Sequence, residues 1–135
     1  MIVASIGYCY VNDISFPVTL LSYLGLLPMS YYKHHVFFCT NERTDGRACC
    51  QDFDAISMRK YLKTKSKELG LSGEGGIRIN TAGCLDRCAL GPVLVIYPEA
   101  TWYTYVDKAD LDEILEAHLK NGKVVERLLL DSGER

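Results

Sequence analysis

The sequence predicts an α/β (α+β) domain built on a mixed β-sheet flanked by helices. Three observations carry this. Strand-like apolar runs alternate with stretches of helical period, in the order β-α-β, a cysteine-bearing loop, then β-β-α. A long crossover separates the first two strands, which suits a parallel pair. Only Pro98-Glu99-Ala100-Thr101 separates the last two, which suits an antiparallel hairpin.

The elements follow in order. Tyr31-Tyr32-Lys33-His34-His35 leads into Val36-Phe37-Phe38, a β-branched and aromatic run that reads as a buried strand ending at Cys39. His34 and His35 read as solvated residues at the strand start. Asn41, Thr44, Asp45 and Gly46 give the following stretch turn chemistry. Asp52 or Asp54 can cap a helix in which Phe53, Ile56, Met58, Leu62 and Leu69 recur at roughly helical spacing. Its lysines lie toward the C-terminal end, where the helix dipole favours positive charge, and Gly70 stops it. Ser72 to Gly76 is Gly-rich but has no Lys-Ser/Thr and follows a helix, so it reads as a plain connection and not a phosphate cradle.

Ile77-Arg78-Ile79-Asn80 alternates as a half-buried strand does. Val93-Leu94-Val95-Ile96-Tyr97 is apolar throughout and reads as a central strand. Trp102-Tyr103-Thr104-Tyr105-Val106 returns beside it, with its aromatic residues packing the hairpin. Asp107 or Asp110 caps a last helix with Leu111, Ile114, Leu115, His118 and Leu119 on one face, and Asn121-Gly122 ends it. Here His118 reads as a packing residue. Val124 to Leu130 forms a short strand or a docked tail. The whole is thioredoxin-like in outline.

At 135 residues, the chain suits one domain and buries roughly two-thirds of its unfolded surface. Net charge is −2 and no basic run occurs, so nucleic acid is not an expected partner. Residues 1–30 read as an N-terminal extension upstream of a natural start at Met29. Residues 31–130 read as the domain and 131–135 as a tail. Asn12, Asp13 and Pro17 interrupt the apolar patches of the extension, so no membrane span is expected, and no signal-peptide pattern is evident. Cys9, in the extension, reads as a free thiol, and the location expected for the chain is cytoplasmic.

Six cysteines are many for an intracellular domain, and their uneven clustering does not read as a disulfide framework. Cys39 sits at a strand end, and Cys84 and Cys88 share a Gly- and Pro-bounded loop. Cys49 and Cys50 compete for a fourth position. Four thiolates from two loops can bind zinc or an iron–sulfur cluster. Structural zinc favours two tight knuckles, and the wide separation of Cys39 from Cys50 suits a larger inorganic core. A [2Fe–2S] core with four thiolates carries a formal charge of about −2 oxidised and about −3 reduced. Backbone N–H groups near Gly46, Gly83 and Gly91, and the side chains of Arg43, Arg47 and Arg87, can offset that charge. No C-x-x-C exchange motif, catalytic base or nucleophile is evident, so an enzyme is not expected.

His35-Val36-Phe37-Phe38-Cys39-Thr40-Asn41, Cys50, Ala82-Gly83-Cys84-Leu85-Asp86-Arg87-Cys88 and Gly91-Pro92-Val93-Leu94-Val95-Ile96-Tyr97-Pro98 closely resemble the thioredoxin-like [2Fe–2S] ferredoxins. Trp102-Tyr103 and Val125-Glu126-Arg127-Leu128 extend the resemblance. Small iron–sulfur subunits of respiratory NADH dehydrogenases and some hydrogenases are related. The resemblance implies a [2Fe–2S] cluster, one-electron transfer between redox partner proteins, and a homodimer. It carries Cys39, Cys84 and Cys88 over as ligands. The family's remaining cysteine lies five residues before a small residue that opens the helix; Ala55 is that residue here, which selects Cys50, with Cys49 as the alternative. Two other readings stand beside this one: an electron-transfer subunit of an NADH-linked oxidoreductase complex, and an interaction module stabilised by zinc on four cysteines.

Overall fold

The computed structural model describes residues 30–130 in full and the backbone of two short strands before them. Those strands, β1 (Tyr8–Val11) and β2 (Ile14–Pro17), form an antiparallel hairpin with Tyr8 opposite Pro17. They belong to a unit of residues 1–30, separate from the unit of residues 31–135. The side chain of Cys9, the proposed start at Met29 and the tail 131–135 lie outside the described residues.

The second unit is organised on a four-stranded sheet of β3 (His34–Cys39), β4 (Ile77–Ala82), β5 (Val93–Tyr97) and β6 (Thr101–Thr104), in the spatial order β4-β3-β5-β6. β3 and β4 are parallel, and the β3–β5 and β5–β6 pairs are antiparallel. The sheet is therefore mixed, as expected. The four consecutive buried residues of β5, Val93 to Ile96, fit a central strand covered on both faces. β4 is an edge strand and alternates buried Ile77 and Ile79 with exposed Arg78.

Helix α1 (Ala55–Glu68) makes the crossover from β3 to β4. Its buried residues are Ala55, Leu62 and Ser66, with Met58 and Tyr61 partly buried, a spacing that keeps one stripe on the sheet. Phe53, Ile56 and Leu69 are exposed, contrary to the stripe expected from the sequence. For Phe53 the reason lies before the helix. Cys50–Phe53 forms a separate 3₁₀ turn, and Asp54 follows in the left-handed region at φ 54°. That break resets the helical phase, so Phe53 does not share the stripe. Neither aspartate caps α1 through its side chain: Asp52 serves the 3₁₀ turn, and Gln51 Oε1 accepts the Ile56 N–H at 3.2 Å. Gly70, at φ 68°, closes the helix, with Leu71 N–H donating back to the Ser66 carbonyl.

Helix α2 (Lys108–Glu113) is capped by Asp107, whose carboxylate accepts the Asp110 N–H, and continues as a π-helix over Ile114–Lys120. Leu111, Ile114, Leu115, His118 and Leu119 are all buried as expected. The final segment is a docked tail with a 3₁₀ turn at Glu126–Leu128, and Leu130 N–H donates to the Trp102 carbonyl at 2.9 Å. Tyr103 and Tyr105 pack inside the sheet, whereas β6 ends before Val106, which is exposed. His34 corrects the sequence reading: it is 3% exposed, not solvated. No described helix is long and apolar enough to cross a membrane.

Candidate metal centre

Three chain segments deliver cysteines to one end of the sheet. Cys39 is the last residue of β3 and stands opposite Ala82, the last of β4. Thr40 N–H donates to the Ala82 carbonyl at 3.3 Å, so both strands end in register. Cys50 opens the 3₁₀ turn before α1, and Gln51 N–H donates to the Asn41 carbonyl at 3.2 Å, tying that turn to the chain leaving β3. Cys88 opens a second 3₁₀ turn, Cys88–Leu90, directly before β5.

The sulfurs converge. Cys88 Sγ lies 3.7 Å from Cys39 Sγ, 3.6 Å from Cys50 Sγ and 3.9 Å from Cys84 Sγ. The Cys39, Cys50 and Cys88 sulfurs all lie within 4.8 Å of one another, and none of the four residues is in a disulfide. Cys39, Cys50 and Cys88 are buried with Ala55, Val93 and Leu130, while Leu85 and Trp102 pack against them. Cys84 is exposed.

Cys49 takes a different direction. It is buried, but its Sγ donates to Asp52 Oδ1 at 3.2 Å and its N–H to Asp52 Oδ2 at 3.0 Å. These two bonds hold the Asp52 carboxyl below the usual carboxylate range. The spacing Cys49-x-x-Asp52 is that of a capping box, a signal already present in the sequence that separates Cys49 from its neighbour.

Electrostatics divide the thiols. Burial pushes Cys50 and Cys88 up, since a thiolate loses solvation there. Cys84 is pulled down, first by the Asp86 N–H at 3.3 Å and also by the Arg43 guanidinium at 3.2 Å. Asp86 holds its N–H there from the left-handed region, at φ 60°. Of the other two arginines considered from sequence, Arg47 pairs with Asp45, and Arg87 lies over the Trp102 ring at 5.0 Å. Gly91, at φ 97°, turns the chain toward Cys50: its carbonyl is 3.7 Å from Cys50 Sγ, and a Cβ on it would come 3.1 Å from Thr104 Oγ1. Three convergent buried sulfurs, with the exposed Cys84 Sγ beside Cys88, fit a thiophilic iron or zinc centre by chemistry and number.

No protein-family model matches the chain. It is 37% identical to a 2Fe-2S ferredoxin of Clostridium pasteurianum over 98 residues, covering 71% of this chain and 94% of that protein. It is 35% identical to a 2Fe-2S ferredoxin of Aquifex aeolicus over 109 residues, covering 78% of this chain and 96% of the other. The crystal structure of the wild-type thioredoxin-like [2Fe-2S] ferredoxin from Aquifex aeolicus superposes with a TM-score of 0.64 at 34% identity, covering 73% of this chain and 97% of that one. These relatives favour the ferredoxin reading over a zinc module or a subunit of an NADH-linked complex. By sequence and by fold, the chain belongs to the thioredoxin-like [2Fe-2S] ferredoxins.

Proposed function

We propose that this ferredoxin holds a [2Fe–2S] cluster on Cys39, Cys50, Cys84 and Cys88, and that it passes single electrons between redox partner proteins without catalysing a reaction of its own. The observation that carries the ligand set is the convergence of the other three sulfurs on Cys88 at 3.6–3.9 Å, with Cys49 turned to Asp52 instead. A bound cluster supplies the one-electron chemistry. The chain's own residues do the rest. Val93, Leu130, Leu85 and Trp102 keep water from the buried sulfurs. Arg43 and the Asp86 N–H oppose negative charge at Cys84. Cys84 also brings that corner of the site to the surface, where a partner approaches. The homodimer implied by the family resemblance and the cytoplasmic location expected from the sequence belong to the same reading, and sedimentation of the purified protein tests the first.

The ligand test is a pair of substitutions. Cys49→Ser should retain the brown colour, the reducible visible absorption and the rhombic EPR signal of the reduced protein. Cys50→Ser should lose or shift all three. The reverse pattern would transfer the ligand role to Cys49, and colourless protein that takes up only zinc would sink the cluster reading.

A further inference from the structure

We propose that His34, Glu99 and His118 form a second metal site, for a divalent cation of zinc type, at the end of the sheet away from the cysteines. Each of the three side chains offers a donor atom within 4.8 Å of the other two. His34 opens the same strand that Cys39 closes, so five steps of about 3.3 Å put the two sites roughly 17 Å apart.

The chemistry of the trio is specific. Two imidazoles and a carboxylate are a borderline donor set, suited to zinc with water in a fourth position. His34 Nδ1 lies 3.0 Å from Glu99 Oε1, close to the donor–donor edge of about 3.3 Å in a tetrahedron with bonds near 2.0 Å. Closing His118 onto that edge takes side-chain adjustment from a separation of no more than 4.8 Å. The Glu99 side chain is 38% exposed and opens the site to a hydrated ion and its remaining water, whereas both histidines are almost fully buried.

A plain buried hydrogen-bonded pair accounts for less. It explains only the His34 Nδ1–Glu99 contact, and His34 Nε2 is buried without a hydrogen-bond partner among the described residues in either reading. The pair also leaves unexplained why a second buried imidazole converges there. His118 is oriented for such a role. Its Nδ1 is 2.7 Å from Tyr103 Oη, which in turn accepts the Val125 N–H at 3.0 Å, the kind of outer bond that fixes a ligand ring. His118 is itself 1% exposed. It also sits on the π-helical stretch Ile114–Lys120, a winding rare in proteins and frequent at functional sites.

Zinc titration of the cluster-loaded protein by calorimetry, with the visible absorbance of the cluster recorded throughout, tests the assignment. One equivalent should bind with the absorbance unchanged. Glu99→Gln, at an exposed turn, and His118→Gln should each weaken that binding by about tenfold or more. His118 is buried, so Glu99→Gln, with its fold verified by circular dichroism, is the variant on which the test rests. The proposal is overturned if no equivalent binds, if Glu99→Gln binds zinc as the parent does, or if zinc enters only as the cluster absorbance falls, which would place it on the cysteines.

Discussion

At the scale of single residues, charge placement decides more than burial alone. The Asp110 carboxylate is nearly buried, which by itself would raise its pKa. The Val106 N–H at 2.8 Å and the Arg127 guanidinium at 2.7 Å outweigh that, and the group is held below its ordinary value. A carboxyl depressed on folding adds stability above its unfolded pKa, and that stability is lost as pH falls through the folded value. Asp110→Asn should therefore cost about 2 kcal/mol at neutral pH, and the gap from the parent should close as pH drops below about 4. Urea unfolding at the two pH values measures both. Arg43 gives a second residue-scale prediction. Its guanidinium donates to Cys84 Sγ, and donors to cluster sulfurs raise the reduction potential. Arg43→Ala should shift the potential downward in a redox titration; an unchanged potential would show that the exposed bond is screened by solvent.

Elements show where a periodic sequence is legible and where it is not. β5 was readable because Val93 to Ile96 are all apolar, and only a strand covered on both faces needs that. The buried face of the last helix was readable too, yet its π winding was not: Leu111, Ile114, Leu115, His118 and Leu119 recur at intervals that fit either winding over two turns. Periodicity places Met58 and Leu62 of α1 on the buried face but extends the stripe back to Phe53, because the left-handed Asp54 is invisible to it. Leu62, rather than Phe53 or Ile56, ties α1 to the sheet, and Leu62→Ala should cost about 3 kcal/mol in denaturant unfolding, while Phe53→Ala should change little. The turn before β5 is as exacting. Gly91 needs a positive φ and has Thr104 Oγ1 against the place a Cβ would take, so Gly91→Ala should lower stability by about 1–2 kcal/mol and disturb the Cys50 side of the site. Thermal melting and the yield of cluster-loaded protein read the two effects.

At the scale of the whole molecule, the two clusters of chemistry differ in how far sequence reveals them. Cys39, Cys84 and Cys88 stand out because few residue types can hold iron, and their flanks mark strand ends and a tight loop. Cys49 and Cys50 are adjacent in an aperiodic loop, where no repeat tells which one points inward; the Asp52 latch does. His34 looked solvated because Glu99, its partner, lies 65 residues away, and His118 still farther. Contacts at that separation are made by topology, not by local pattern. The same topology bears on residues 1–30. The main apolar core runs from Val36 to Leu128, and the cysteine cluster adds Cys39, Cys50, Cys88 and Leu130. All of it, with Cys84, falls in the unit of residues 31–135. A chain begun at Met29 therefore keeps every described residue of that core and every proposed ligand. It should fold in one cooperative transition, take up the cluster with the same visible spectrum and reach the same midpoint of thermal unfolding within a few degrees. Aggregation, or colourless protein from the shortened chain alone, would mean that the first 28 residues complete the fold and are not an extension of it.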